Sequence, residues 1–237
     1  MKILKLPFLF LATAVVAFSC DDKGFCLEGE GGVETRTLDM AAISGVEVSG
    51  STKVYISRGN PQRVEVRGQG NVLDELETEV DNGVWDIEFD RCLRNHKKVE
   101  IHITVPELHV ARVGGSGSIE LEDVFESREF KTSVSGSGNV LLRVATDKLD
   151  ARISGSGTIR AAGVANEQDI SISGSGNYLA SDVNSKKVEV NVSGSGEAEV
   201  NAANQLDAKI SGSGRVYYTG NPSVNTSVSG SGKVIKK

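Results

Sequence analysis

Apolar and polar residues alternate along most of the chain, and the tripeptide Gly-Ser-Gly interrupts this alternation at regular intervals. Seven copies begin at successive steps of 21, 19, 19, 20, 18 and 18 residues. The first residues of the seven copies are Gly115, Gly136, Gly155, Gly174, Gly194, Gly212 and Gly230. A repeat of about 20 residues is typical of a solenoid, in which each coil buries its apolar side only against its neighbours.

Counting from the first glycine of each copy as position 0, the apolar residues occupy even positions. Position −2 is β-branched in all seven copies, and position −6 is apolar except at His109 and Gln168. A period of two predicts strands whose even positions face one core. The motif glycines at 0 and +2 share this parity. We therefore expect both to face inward at a tight bend that has no room for a side chain.

These patterns predict an all-β fold, a parallel solenoid with ~19-residue coils. Residues 111–237 carry the regular repeats, and residues 33–110 are predicted to form less regular β coils with a degenerate motif copy at Ser49-Gly50-Ser51. No linker-like segment separates the two parts, so residues 33–237 are expected to form one continuous domain.

The first 19 residues have the features of a secretory signal peptide. Lys2 and Lys5 precede an apolar run of 13 residues, 6–18, which is shorter than the ~20 residues of a membrane-spanning helix. The run ends in Ala17-Phe18-Ser19-Cys20, which resembles a bacterial lipobox. The resemblance implies cleavage before Cys20, lipidation of Cys20 and a membrane partner through the lipid anchor, with residues 20–32 as a tether. The alternative is a plain signal peptide.

The charge of the chain argues against nucleic acid as a partner. The whole chain has a net charge of −6; without residues 1–19 it has 24 basic and 32 acidic residues, a net charge of −8. Asp21 and Asp22 resemble the surface-export signal of Bacteroidetes-type lipoproteins. The expected location is an outer-membrane lipoprotein, on the cell surface or on the periplasmic face.

Lipidation of Cys20 would leave Cys26 and Cys92. Outside the cytoplasm thiols tend to oxidise, so a Cys26–Cys92 disulfide is the simplest expectation. Two buried free thiols are the alternative. Two isolated cysteines lack the paired spacing of a metal site.

The lipobox, the alternation from Ile43 to Ile56 and the later Val/Ile-Ser-Gly-Ser-Gly repeats together resemble the putative autotransporter adhesin, head GIN domain family. The resemblance covers residues 38–235. It implies a right-handed parallel β-helix-like fold in a Bacteroidetes-type envelope lipoprotein. The adhesin description of that family is itself an inference by similarity, and the family carries no established catalytic residues.

The sequence offers little chemistry. No Gly-Ser-Gly copy has the following helix that a phosphate-binding loop needs, and the three histidines are predicted to be separate. The acidic residues are expected to scatter over the corners without forming a column from repeat to repeat. We therefore predict no enzyme, no cofactor and no metal. A carbohydrate-active enzyme, either a polysaccharide lyase or a hydrolase, and an envelope accessory protein are the alternatives.

Serines at positions −1 and +1 recur in nearly every repeat and are expected to point outward. The candidate ligand face consists of Ser135, Ser137, Ser154, Ser156, Ser173, Ser175, Ser193, Ser195, Ser211 and Ser213. One interpretation is a docking surface for a glycan or a surface protein. The other is that serine suits a tight bend, keeps the rod soluble and forms hydrogen bonds between rungs.

The last motif is followed almost at once by Lys233 to Lys237. Because a solenoid normally needs a cap over its terminal coil, we expect this end to be covered. The cover would be another subunit, in a homo-oligomer, or the final strand of the chain folded over the end.

Overall fold

The structure, a computed structural model, describes residues 26–237. Of the predicted features, the signal peptide and the lipidation site Cys20 lie outside the described residues. Strands account for 69% of the described residues and helix for 2%, and the strands stack as the parallel coils of a β-solenoid of about seven turns. The predicted all-β solenoid is confirmed; the hand of its winding stays a prediction.

The part of the chain that precedes the long coils consists of short strands and one helical turn. These elements are β1 (Leu27–Glu28), β2 (Val33–Leu38), β3 (Gly45–Val48), β4 (Lys53–Arg58), β5 (Arg63–Gln69), α1 (Gly70–Leu73), β6 (Val80–Asp81), β7 (Val84–Ile87), β8 (Leu93–Arg94), β9 (Glu100–Val105), β10 (Val110–Val113) and β11 (Ser118–Leu121). Most of them are rich in β-branched residues, which fit a pleated and half-buried surface.

In the repeat region the strands are longer and run from one Gly-Ser-Gly bend to the next. They are β12 (Phe125–Gly136), β13 (Asn139–Gly155), β14 (Thr158–Gly174), β15 (Asn177–Gly194), β16 (Glu197–Gly212), β17 (Arg215–Thr219), β18 (Ser223–Gly230) and β19 (Lys233–Lys236). Neighbouring coils pair in parallel register, with Gly155 between Gly136 and Gly174. Pairing is interrupted at the polar residues Asp147 and Asn166. Each coil therefore has one pairing segment before the bend and one after it.

The two glycines of the motif meet different constraints. At position 0, Gly174 has a φ of +115°, and a Cβ there would lie 2.6 Å from the carbonyl oxygen of Gly155 in the preceding coil. At position +2, a Cβ on Gly176 would lie 2.4 Å from Cγ2 of Ile153. Gly176 is buried but Gly174 is exposed. The expectation that both glycines face inward is therefore wrong for position 0, where the backbone turns the corner and the missing Cβ would point at the neighbouring backbone.

The core follows the predicted even positions. Residues at −2 and +4 are at most 3% exposed in all the repeats except the last. Gln168, the exception at position −6, is also buried: it accepts a hydrogen bond from the hydroxyl of Tyr178 (2.5 Å) and donates one to Ser185 (2.7 Å). Burial raises the pKa of the Tyr178 phenol well above its usual value. The polar residue is thus tolerated because its amide is paired on both sides.

The N-terminal coils stack in an order that differs from their order in the chain. β3 lies between β7 and β10, and β4 lies between β9 and β11, all in parallel. The coil formed by β7 and β9 is therefore the terminal one, although β3 and β4 precede it in sequence. Between β3 and β4 the chain bends at Gly50, whose φ is +120°, and the amides of Ser116 and Gly117 donate to its carbonyl. Ser49-Gly50-Ser51 thus forms a bend in register with the repeats.

The N-terminal end of the solenoid is covered by antiparallel strands. β5 pairs with β9, and β2 pairs with the other edge of β5. A disulfide joins Cys26 to Cys92, with their Cα atoms 4.6 Å apart, and β1 pairs with β8 beside it. This arrangement ties the first described residues to the segment between β7 and β9.

The last coil has no comparable cover. β19 pairs in register with β17 and so completes the coil. The expectation that the final strand folds over the end is therefore wrong, because its alternating residues continue the ladder. Val224 and Val228, at positions that are buried in most other coils, are 39% and 44% exposed. Among the described residues, nothing packs on this apolar end.

Candidate functional site

The ten candidate serines are all exposed, but they form two columns instead of one face. The serines at −1 lie on the strand before the bend, where Ser154 pairs with Ser135 on one side and with Ser173 on the other. The serines at +1 lie within the bend, where the amide of Ser156 donates to the carbonyl of Gly136 at 2.9 Å. Because the chain turns at position 0, the two columns belong to different surfaces of the coil.

The column at −1 lines a shallow trough of about 570 Å³ that crosses five coils. Four of the candidate serines line it. They are Ser154, Ser173, Ser193 and Ser211, and Ser229 continues the column. Its floor is the backbone of the buried residues at −2, such as Ile172, so the trough is a flat part of the sheet between small side chains. None of the serines at +1 lines it.

A second column of trough residues, at position −3, was missed from the sequence. Its members are Arg152, Ser171, Asn191, Lys209 and Ser227. Position −3 has the same outward parity as −1, so the alternation in the sequence predicts that its side chains lie on the same surface. The column is less uniform than the serines, and its two cations break the pattern of small polar residues. Together the columns present hydroxyl and amide groups on rungs about 4.8 Å apart.

Both cations of the trough are held by carboxylates on one side. Arg152 donates to Asp150 at 2.9 Å, and the ammonium of Lys209 lies 3.6 Å from Glu189. These carboxylates lie at position −5, just outside the trough. The side chains of Arg152 and Lys209 are about two-thirds exposed, so each ion pair is worth little to stability.

The acidic residues at position −5 correct one expectation. Asp150, Asp169, Glu189 and Asp207 lie opposite one another on successive coils, so the acids do form a column. The repeat lengths of 19, 20 and 18 residues hide this register when the acids are considered one by one. Lys148 also approaches Asp169, at 3.9 Å, so basic neighbours compensate several of these carboxylates.

The chemistry available at this surface is hydrogen bonding. Among the described residues, no hydroxyl of the four trough serines is hydrogen-bonded to a base that could activate it. Residues 26–237 contain no group of three or more His, Cys, Asp or Glu residues placed to hold a metal ion. Tyr217, an aromatic residue of outward parity, lies after the bend, and the ammonium of Lys237 lies over its ring at 4.8 Å from the centroid.

The family model for the putative auto-transporter adhesin, head GIN domain matches residues 42–222. The chain belongs to this family. The resemblance drawn from the repeats is thereby confirmed, and the family suggests a cell-surface or envelope location. Within residues 26–237, no helix is long and apolar enough to cross a membrane.

Three solved structures of Bacteroidetes proteins are similar to this chain. A putative lipid binding protein from Parabacteroides distasonis shares 26% identity at a TM-score of 0.76, covering 89% of this chain and 99% of its own. A putative adhesin from Bacteroides fragilis shares 21% identity at a TM-score of 0.82 (89% and 100%). A putative adhesin from Parabacteroides merdae shares 21% at 0.74 (90% and 99%). No protein of curated function matches the chain. The family supports an adhesin-like role, and the similar structures support the fold.

Proposed function

We propose that this protein is a non-catalytic lipoprotein of the cell envelope that binds a glycan or a surface protein through the serine trough. The observation that carries the proposal is the trough itself, which crosses five coils and is lined mainly by small hydroxyl and amide side chains, with Arg152 and Lys209 among them. An extended ligand with repeating hydrogen-bonding groups fits a surface whose donors repeat from coil to coil. A surface with no activated nucleophile suits binding better than catalysis.

The proposal includes an anchor at Cys20. The lipobox-like Ala17-Phe18-Ser19-Cys20 supports cleavage before Cys20 and acylation there. Mass spectrometry of the N-terminal peptide from the native membrane fraction tests it. A diacylated or triacylated Cys20 supports the anchor, whereas a free amino group at another residue would contradict it. The Cys20→Ala variant should leave the membrane fraction, and protease accessibility in intact cells distinguishes the cell surface from the periplasmic face.

Ligand binding is tested with the chain that lacks only the predicted signal peptide and Cys20. A glycan array is screened with this protein and with two quadruple variants. The first variant changes the trough serines Ser154, Ser173, Ser193 and Ser211 to Lys. The second changes the serines of the other column, Ser156, Ser175, Ser195 and Ser213, to Lys. Both variants add the same charge to neighbouring exposed positions, so the second is a matched control.

Binding that is lost only in the trough variant supports the trough as the recognition surface. Equal loss in both variants would point to charge alone and would refute the assignment. Because one solved relative is described as a lipid binding protein, the screen also includes vesicles of phosphatidylethanolamine with phosphatidylglycerol. Binding to vesicles by the non-acylated protein, without glycan binding, would replace the glycan with a lipid surface.

The proposed partners also include a second copy of the chain at the last coil. Exposed Val224 and Val228 and the unpaired outer edge of β18 support this part of the proposal, since free strand edges pair readily. Sedimentation analysis of the protein and of a Val228→Lys variant tests it. A dimer that the variant abolishes supports the interface. A monomer at high micromolar concentration would contradict it.

A further inference from the structure

We propose a second binding site, for the carboxylate of an acidic sugar, in the cavity between the Gly50 bend and the segment that links β7 to β9. This cavity has a volume of about 540 Å³, within the range of small-molecule pockets. It is lined on one side by Ser49 to Thr52 and on the other by residues from 88 to 99. It lies away from the serine trough, so a result that refutes one proposal does not affect the other.

The cavity exists because one coil lacks the motif. In the repeats, the backbone amides at +1 and often +2 donate to the carbonyl of the first motif glycine in the preceding coil. The amides of Ser213 and Gly214, for example, donate to the carbonyl of Gly194 at 2.9 and 3.0 Å. Below the Gly50 bend, the terminal coil has no such glycine: the chain leaves the ladder after Ile87 and returns at Val99. The strand amides on either side keep their partners, Ser49 with Ile87 and Lys53 with Val99.

Two backbone donors are left over at this bend. Among residues 26–237, the amides of Ser51 and Thr52 have no hydrogen-bond acceptor. In the repeats the equivalent acceptor is a carbonyl oxygen, so an oxygen atom of a ligand could take the same place. Adjacent amides in a turn are a common cradle for an anion. Ser51 is exposed but Thr52 is only 5% exposed, and an amide buried without a partner is unfavourable, so a ligand oxygen is most favourable at Thr52.

The sequence departs from the motif at the same place. Position +2 is Gly in all seven repeats, but in the Gly50 bend it is Thr52. Thr52 is only 5% exposed, and its hydroxyl has no hydrogen-bond partner among the described residues although it lines the cavity. A side chain is tolerated here because the missing motif leaves space. Its hydroxyl adds a third donor beside the two amides.

Lys98 is the cation that the cavity offers to an anionic ligand, on the side away from the carboxylates around Glu77. In a chain of net charge −6, the lining contains Arg91 and Lys98 against one acid, Glu88. The ammonium of Lys98 forms no ion pair with any described residue, which leaves it available to a carboxylate. Arg91 is engaged with Glu75 at 3.7 Å, and Asp86 accepts the hydrogen bond of Ser49.

The remaining lining groups suit a sugar ring. The Nδ1 atom of His96 lies 2.8 Å from the carbonyl oxygen of Lys97, which leaves its Nε2 and the Glu88 carboxylate to form hydrogen bonds with ligand hydroxyl groups. The ring of Phe89 offers an apolar wall. A single carboxylate is expected to fit better than a phosphate dianion, because Glu88 would repel the second negative charge. An acidic monosaccharide unit combines these features.

The test is a titration of the isotope-labelled chain, lacking only its predicted signal peptide and Cys20, followed by amide NMR. The probes are sodium glucuronate, its methyl glycoside, glucose and inorganic phosphate. We expect glucuronate to shift the amide resonances of Ser51 and Thr52 in a saturable way and glucose to leave them unchanged. Binding of the methyl glycoside would identify the terminal residue of a glycan as the ligand, and its failure beside glucuronate binding would identify a free sugar acid.

Three variants distinguish binding at this site from non-specific attraction between the ligand and basic side chains. Lys98→Met should weaken glucuronate binding about tenfold, the usual effect of losing one charge-assisted hydrogen bond. Lys97→Met, an exposed neighbour outside the cavity, should bind like the parent. Thr52→Gly restores the repeat motif, so it is expected to fold, and it should also weaken binding. Unchanged Ser51 and Thr52 resonances at saturating glucuronate, equal shifts with glucose, stronger binding of phosphate, or equal loss in both lysine variants would each overturn the proposal.

Discussion

A set of three glycine-to-alanine substitutions tests whether the motif is fixed by the geometry of the bend. The substitutions separate two penalties, an unfavourable φ and a steric overlap with the preceding coil. Gly50 has a φ of +120°, and nothing lies within 4 Å of its added Cβ. Gly174 has a similar φ of +115°, and its Cβ would lie 2.6 Å from the oxygen of Gly155. Gly176 carries only the overlap, 2.4 Å from Cγ2 of Ile153.

The expected losses of unfolding free energy follow from these differences. Gly50→Ala should cost about 1–3 kcal/mol, the range for a residue held in a glycine-only conformation. Gly176→Ala should cost about 1–3 kcal/mol through overpacking. Gly174→Ala combines both penalties and should cost about 2–6 kcal/mol, a large share of the ~5–15 kcal/mol that holds a typical domain together.

The assay is urea unfolding followed by circular dichroism, with Ser175→Ala as the control in the same bend. Ser175 is exposed, so its variant should stay within about 0.5 kcal/mol of the parent. The expected order of destabilisation is Gly174→Ala above Gly50→Ala and Gly176→Ala. If Gly50→Ala proves as harmful as Gly174→Ala, overlap with the neighbouring coil plays no part. If Gly174→Ala is tolerated like the control, the account of the bend is wrong.

Three further outcomes can be measured on the same protein. Thr132→Val should raise the unfolding free energy in urea by about 1 kcal/mol, since the Thr132 hydroxyl is buried without a partner among the described residues; a loss would refute this. Reduction of Cys26–Cys92, which are 66 residues apart, should lower stability by up to about 4 kcal/mol, measured with and without reductant. Burial raises the pKa of the Tyr178 phenol in the folded chain. Above the ordinary phenol pKa of 10.0 the unfolded chain loses this proton and the folded chain keeps it. Deprotonation lowers the free energy of the unfolded state, so the free energy of unfolding falls as pH rises. The phenolate absorbance that a Tyr178→Phe variant lacks should therefore appear only together with unfolding, and its appearance in the folded chain would contradict the burial argument.

The sequence predicts the repeating part of this fold well because its constraints are local. A parity rule places Ile153 and Val192 in the core, and the motif spacing places the bends. The register at the bends also follows, since the motif copies lie opposite one another, while irregularities in pairing between 160 and 162 and between 180 and 184 absorb the unequal repeat lengths. Parity does not predict the direction in which the chain turns at position 0. Because of this turn, Ser154 and Ser156 lie on different surfaces of the coil although they have the same parity.

The N-terminal coils show a different limit. The order in which β7, β3 and β10 stack depends on contacts between segments that are far apart in the chain, and no short pattern encodes it. The cavity beside Thr52 follows from that order, because it forms where a coil without the motif lies next to one that has it. Its only sequence signal is the departure from Gly at position +2, which is visible once Ser49-Gly50-Ser51 is aligned with the repeats.

The structure also bears on why serine recurs beside the motif glycines. The glycines are required, since a Cβ at either position would overlap the preceding coil. The serines at −1 are under no such constraint: they are exposed, and within residues 26–237 no hydrogen bond joins the hydroxyls of −1 serines on neighbouring rungs, such as Ser154 and Ser173. Ladder hydrogen bonding therefore does not explain them, and substitution by alanine should leave stability within about 0.5 kcal/mol. A residue that the fold does not need, repeated over successive coils along one trough, is better explained by what the trough contacts.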